Sequence, residues 1–162
     1  MPKKRETTLW TNLRTKYKNW LSLNKDNEYI CVFERIENSV GSGMPDLIMC
    51  LEGKLFMVEG KASDYVSLNA KPRIDFRDSQ IEKLTTWHNA GTKCFIFLLV
   101  GNARDKEIFV IPFYELSVLK TLKWGVLLND YAKWKLPRQW KMSDLINLLN
   151  QEYNHSKIVG ST

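Results

Sequence analysis

Histidine is nearly absent from this chain of 162 residues, which carries only His88 and His155. His88 falls on a predicted helix and His155 in a polar tail, so a His-based metal site or a Ser-His-Asp triad lacks its material. Cysteine is also scarce. The three present, Cys31, Cys50 and Cys94, are odd in number, lack short spacings and sit inside strand-like apolar runs. They suit neither a disulfide framework nor a zinc cluster, and read as buried free thiols of a reducing compartment. No window approaches the roughly 18 consecutive apolar residues of a membrane span. The opening Met-Pro-Lys-Lys-Arg-Glu is not followed by the apolar core of a signal peptide, so a cytoplasmic location is expected. Internal repeats and low-complexity linkers are missing as well. One domain over 1–162, long enough to bury a core, is the simplest organisation.

What is present is an ordinary globular composition, 44% hydrophobic and 26% charged, with a net charge of +6. The basic balance favours a polyanionic partner, since displacing counterions from phosphates drives binding. Apolar residues at helical spacing (Leu9, Trp10, Leu13, Tyr17, Trp20, Leu21) predict a helix over about 7–23. A first strand follows near 29–36, then a glycine loop to Gly43, and hairpin strands near 46–51 and 54–61. Residues 62–78 are polar, contain Pro72 and read as a long loop. Ser79-Gln-Ile-Glu82 has the pattern of a capping box and opens a helix that ends at Gly91. The unbroken apolar run Cys94–Val100 predicts a buried central strand, with a short strand at 107–111 beside it. The remainder is helical and irregular, with a final helix from Ser143 to about Tyr153. A helix leading from one strand to a buried strand fits a crossover, so the expected class is α/β with a mixed central β-sheet flanked by helices.

The hairpin carries the chemistry. Glu52-Gly53 is a natural two-residue turn between apolar runs. A turn centred there pairs Leu51 with Lys54 and Cys50 with Leu55, and puts Asp46 opposite Glu59. Such partners share a face with Cβ atoms roughly 4.5–5.5 Å apart, and like charges that close need a cation between them. Lys61, two residues past Glu59, shares the same face. Two facing carboxylates with backbone carbonyls suit a hard, oxygen-seeking ion, Mg²⁺ or Mn²⁺. With Lys61 to hold a water or to stabilise developing charge, the set is suited to phosphodiester hydrolysis.

Pro45-Asp46, a gap of 12 residues, then Glu59-Gly60-Lys61 resembles the signature of the PD-(D/E)XK nuclease superfamily. Gly43-Met-Pro-Asp46-Leu is similar to the G-x-P-D-L element of its virus-type replication-repair branch, which is related to Holliday-junction resolvases. The resemblance covers about residues 5–100. It implies a restriction-endonuclease-like core (about 5–112) with a basic C-terminal extension (about 113–162). It further implies a catalytic role for Gln80 on the helix after the motif, and a metal-ligating Gly60 carbonyl. An acid on the first helix is a ligand in many relatives; Glu6 is the favoured position here and Glu37 the competing one. Gly60 stands where an apolar residue is usual, which leaves its carbonyl in place and suggests looser packing behind the site. The implied protein is a phage-encoded or bacterial enzyme acting on DNA, structure-selective for branches or junctions, and a homodimer by analogy.

Beyond the signature, Lys71 and Arg73 in the long loop are candidate phosphate contacts. Lys120, Lys123-Trp124, Lys133-Trp134-Lys135 and Arg138-Gln-Trp140-Lys141 interleave cations with tryptophans. That pattern suits either base stacking with phosphate contact, through Lys133, Lys135 and Arg138, or tryptophans packed on the core with lysines in water. Two alternatives stay open: a site-specific endonuclease of homing or restriction type that reads bases with this segment, and a non-catalytic nucleic-acid-binding module of the same fold. DNA against RNA is not decided by these residues.

Overall fold

A computed structural model describes the backbone of residues 3–27, 31–36, 43–64, 67–101, 106–119, 121 and 123–159. Five strands form one sheet in the order in which they occur along the chain: β1 (Cys31–Arg35), β2 (Leu47–Leu51), β3 (Lys54–Ser63), β4 (Lys93–Gly101) and β5 (Lys106–Pro112). Helix α1 (Lys3–Leu23) precedes the sheet and α2 (Asp78–Asn89) links β3 to β4. After β5 come the short helices α3 (Leu116–Leu119) and α4 (Trp124–Asp130), then α5 (Met142–Val159). The β3–β4 pair is parallel and the other three are antiparallel, so the sheet is mixed and the class α/β, as expected. No helix among the described residues is long and apolar enough to cross a membrane.

The turn residues set the hairpin. Glu52 and Gly53 both take positive φ, 49° and 76°, the conformation that matches the twist of two antiparallel strands. Leu51 accordingly pairs with Lys54 and Cys50 with Leu55, in the expected register. Because side chains alternate across a strand, β3 presents Phe56, Val58 and Gly60 to one face and Met57, Glu59 and Lys61 to the other. Helix α1 covers the first face, where Trp10 lies against Gly60. Helix α2 covers the second, where Gln80 meets Glu59 and Lys61. The interior of β4, Cys94–Val100, is buried throughout, as a strand with neighbours on both edges and helices above and below should be.

Two expectations are corrected. The crossover helix begins at Asp78, capped by Arg77 and not by Ser79, which lies within its first turn. Gln80 is therefore the residue whose side chain reaches back: its Oε1 accepts the Arg77 backbone N–H at 3.1 Å. Second, the packing behind Gly60 is tight. A Cβ at that position would run into the Trp10 ring, so glycine is required by the close approach of α1. Of the two readings of the C-terminal tryptophans, burial decides for packing: Trp124, Trp134 and Trp140 are all buried, at 1%, 3% and 5% exposure, and form part of the core. Trp134 also donates its indole N–H to Glu152 Oε1 at 2.7 Å, which fastens the C-terminal segment to α5. All three cysteines are free thiols; Cys31 and Cys94 are buried as expected, which pushes them up to about 11 and about 12, whereas Cys50 is only half-buried.

Candidate active site

The site forms where β2 begins and β3 runs on beyond the hairpin. Asp46 sits one residue before β2, held by its main chain on one side and by its side chain on the other. Its carbonyl accepts the Ile36 N–H at 2.9 Å, which continues the β1–β2 ladder. Its side-chain Oδ2 accepts the Gly60 N–H at 2.9 Å. The pairing of Leu47 with Val58, carried one step further, sets Asp46 opposite Glu59. Gly43, at φ 92°, packs against the Ser79 backbone and so seats the Met44-Pro45-Asp46 segment beside the start of α2. A side chain at Gly43 would part the two.

Glu59 is 1% exposed, and Lys61 and Gln80 are each 8% exposed. The Lys61 ammonium lies 2.9 Å from Glu59 Oε1 and donates to Gln80 Oε1 at 3.0 Å. Gln80 Nε2 donates to that same Glu59 oxygen, which closes a three-membered ring of polar contacts. Lys61 Nζ also lies over the Phe76 ring, 4.9 Å from its centre, in a cation–π contact. Gln80 thus fixes the lysine with one end of its amide and the carboxylate with the other, and is itself held by the Arg77 N–H.

One atom in this network has no partner. Glu59 Oε2 is buried and makes no hydrogen bond among the described residues. A buried carboxylate oxygen left bare is costly, and native proteins satisfy such atoms with a donor or an ion. The electrostatics tell the same story. Burial, then repulsion from Asp46, with Glu6 adding to it, pushes Glu59 up to about 7 despite the attraction of Lys61. Asp46 is also raised, by burial, against the opposing pull of the Gly60 N–H, Lys61, Arg35 and Arg77. Each carboxyl therefore favours its protonated form unless a further positive charge compensates it. A hard divalent cation held by carboxylate and carbonyl oxygens fits this donor set. Among the described residues no three His, Cys, Asp or Glu side chains are gathered closely enough to hold a metal by themselves. Such an ion would draw its remaining ligands from water and phosphate, the usual habit of Mg²⁺.

Glu6, in the first turn of α1, is half-buried and near enough for its charge to be felt at Glu59. Glu37 lies outside the described residues. Lys71 and Arg73 are exposed on the loop between β3 and α2. That loop is tied to the start of α4 by the Trp124 N–H to the Ala70 carbonyl and the Gly125 N–H to the Leu68 carbonyl, both at 2.9 Å. Lys133, Lys135 and Arg138 are exposed beside β5, away from the β2–β3 site. Lys133 lies over the Trp134 ring at 4.2 Å, and Lys135 pairs with Glu107 at 3.3 Å. Three contributors were not singled out from the sequence: Arg77, Phe76 and Arg35. Arg77 stands three residues before Gln80, the spacing of a capping box; the cap preference of Ser79 concealed it.

No protein-family model matches this chain, and no curated protein matches it in sequence. Among solved structures it is similar to Hjc, a Holliday junction resolvase from the archaeal hyperthermophile Archaeoglobus fulgidus. The match has a TM-score of 0.37 and 13% identity, and covers 70% of this chain and 98% of the other.

Proposed function

We propose that this chain is a divalent-metal-dependent DNA endonuclease of the PD-(D/E)XK kind, selective for branched or junction DNA. The bare, buried Glu59 Oε2 opposite Asp46 is the observation that carries the proposal. A protein that only bound nucleic acid would have no use for two desolvated carboxylates pushed together. Asp46 and Glu59 would hold Mg²⁺ or Mn²⁺ with the Gly60 carbonyl, and Glu6 is the proposed further acidic contact. When bound, the ion lowers the pKa of a water and stabilises charge on the phosphoryl oxygens.

The chain's own groups do the rest. Lys61 uses two of its N–H donors on Glu59 and Gln80, which leaves one for the attacking water or a phosphate oxygen. Gln80 holds that ammonium in place, so the donor needs no reorganisation when charge develops. Exposed Lys71 and Arg73 are proposed to meet flanking phosphates, and Lys133, Lys135 and Arg138 to extend the basic surface. Cutting two strands calls for two such sites, so a homodimer is part of the proposal, checked by sedimentation. A site-specific enzyme that reads bases with the C-terminal tryptophans is disfavoured, since all three rings are buried.

The test is incubation with Mg²⁺ or Mn²⁺ on four-way junction, flap, single-stranded and plain duplex DNA, with EDTA as control. Metal-dependent cutting, greatest on branched substrates and lost in Asp46→Asn and Lys61→Ala, is the expected result. DNA binding without cutting of any substrate would replace the enzyme by a binding module.

A further inference from the structure

A cleft of about 470 Å³ lies between α1 and β1, on the sheet face opposite Glu59 and Lys61. Its lining divides by type. Trp10, Tyr17 and Phe33 supply aromatic surface, and Arg14, Lys18 and Arg35 supply three cations against one acid, Glu34. The arrangement follows from period. Arg14 and Lys18 are one helical turn apart on α1, about 6 Å along its axis. Phe33 and Arg35 alternate on β1 and so share the face turned to α1. The Tyr17 and Phe33 rings stack with centroids 5.1 Å apart, and the Tyr17 hydroxyl is anchored on the Cys31 carbonyl at 2.8 Å. Arg14, Lys18 and Arg35 are exposed, and none pairs with a carboxylate among the described residues.

One end of the cleft adjoins the Asp46 end of the site, while Glu59 and Lys61 face the other side of the sheet. Trp10, in its wall, is the ring that covers Gly60. Arg35, on its rim, is among the cations whose charge acts on Asp46. From there the cations continue along α1, away from the carboxylates. Aromatic surface between unpaired cations is how proteins hold a nucleic-acid strand without reading its sequence.

We infer that this cleft holds a single-stranded arm of the nucleic acid as it leaves the scissile phosphate. Phosphates lie against Arg35, Arg14 and Lys18, and a base rests on the Tyr17–Phe33 floor. The occupant is one strand, not a duplex. Only an unpaired base offers its face for stacking, and a volume of this size belongs to the roughly 300–1,000 Å³ range of small-ligand pockets. The inference rests on the nuclease reading for the position of the scissile phosphate, and it narrows the substrate to branches with an unpaired arm.

The experiment uses full-length Asp46→Asn protein, so that cutting does not interfere, with fluorescence anisotropy on labelled oligo-dT and on a blunt duplex across a salt series. Arg14→Glu with Lys18→Glu should weaken oligo-dT binding by about tenfold or more. It should also flatten the salt slope by about 1.4, at roughly 0.7 per phosphate contact on a single strand. Phe33→Ala should weaken oligo-dT binding about fivefold or more, with the salt slope unchanged. Losses on the duplex should be smaller in both cases. Circular dichroism melting checks that each variant folds; the two charge reversals, at exposed positions, should melt as the parent does. Unchanged oligo-dT affinity and slope in the charge-reversed protein overturn the inference, as do equal losses on duplex and single strand. If wild-type protein cuts no substrate but these variants lose the single strand, the cleft stands and the nuclease reading falls. If wild type cuts branched DNA and the variants bind oligo-dT normally, the cleft alone falls.

Discussion

Lys61 and Glu59 meet at 2.9 Å, two residues apart on β3, in a part of the molecule that water hardly reaches. Removing the lysine leaves a buried carboxylate with only Gln80 for support. Breaking one side of a buried pair typically costs about 3–5 kcal/mol. Lys61→Ala should therefore destabilise the protein by that order at pH 8, as well as abolish cutting. Lys61→Met with Glu59→Gln removes both charges and should recover a good part of the stability with none of the activity. Urea denaturation of the two proteins checks this, and equal loss in both would mean that the pair contributes through packing alone.

The raised carboxyls make a statement about pH. Glu59 sits at about 7 in the folded chain, against 4.5 ordinarily, so the folded state binds a proton that the unfolded state releases. Stability of the metal-free protein is then greatest below about pH 4.5 as far as this group is concerned, and is lost as pH rises through about 7. Asp46, also raised, acts in the same direction. A divalent ion satisfies the ionised pair, so Mg²⁺ or Mn²⁺ should raise the melting temperature much more at pH 8 than at pH 5. Melting curves with and without metal at the two pH values test it. A metal response that does not grow with pH would rule out these carboxylates as the ligands.

Gly60 is pressed by the Trp10 ring, so Gly60→Ala should be destabilising by about 1–3 kcal/mol, the usual cost of overpacking. It should also cut activity, because the residue lies between Glu59 and Lys61 and its N–H holds Asp46. Trp10→Leu opens the space. If sterics are the cause, the Gly60→Ala, Trp10→Leu double variant should lose less stability than the two single changes summed, as a denaturation cycle would show.

The hairpin register was legible because it rests on a local rule. Glu52-Gly53 accepts only one kind of turn, and the turn fixes every pair from Leu51–Lys54 outward. The proximity of Asp46, Glu59 and Lys61 follows from that register. Arg77, Phe76 and the tightness around Gly60 were not legible, since they depend on where α1 and α2 dock. Cap preference pointed to Ser79, but the polar ring of Glu59, Lys61 and Gln80 outweighs the roughly 1 kcal/mol of cap propensity. The α1–β1 cleft was invisible for a similar reason: its cations come from two elements separated in sequence, and no run of basic residues marks it.

The C-terminal segment separates composition from role. Its alternation of lysine and tryptophan reads equally well as a stacking surface or a packed one, and burial decides for packing. Trp134 is 3% exposed, packs at a tilt against Tyr131 with centroids 4.9 Å apart, and bonds to Glu152. Trp134→Ala should cost about 3–5 kcal/mol, in the range for deleting a buried aromatic. Among molecules that remain folded, affinity for oligo-dT and its salt slope should not change, because the ring touches core and α5, not solvent. Lys133→Ala, by contrast, should leave stability within about 0.5 kcal/mol. If it contacts phosphate, it should flatten the salt slope by roughly 0.7. Measuring melting and salt-dependent anisotropy on both variants therefore dissects the segment residue by residue. A loss of DNA affinity in folded Trp134→Ala that exceeds the loss in Lys133→Ala would return the tryptophan to the nucleic-acid surface.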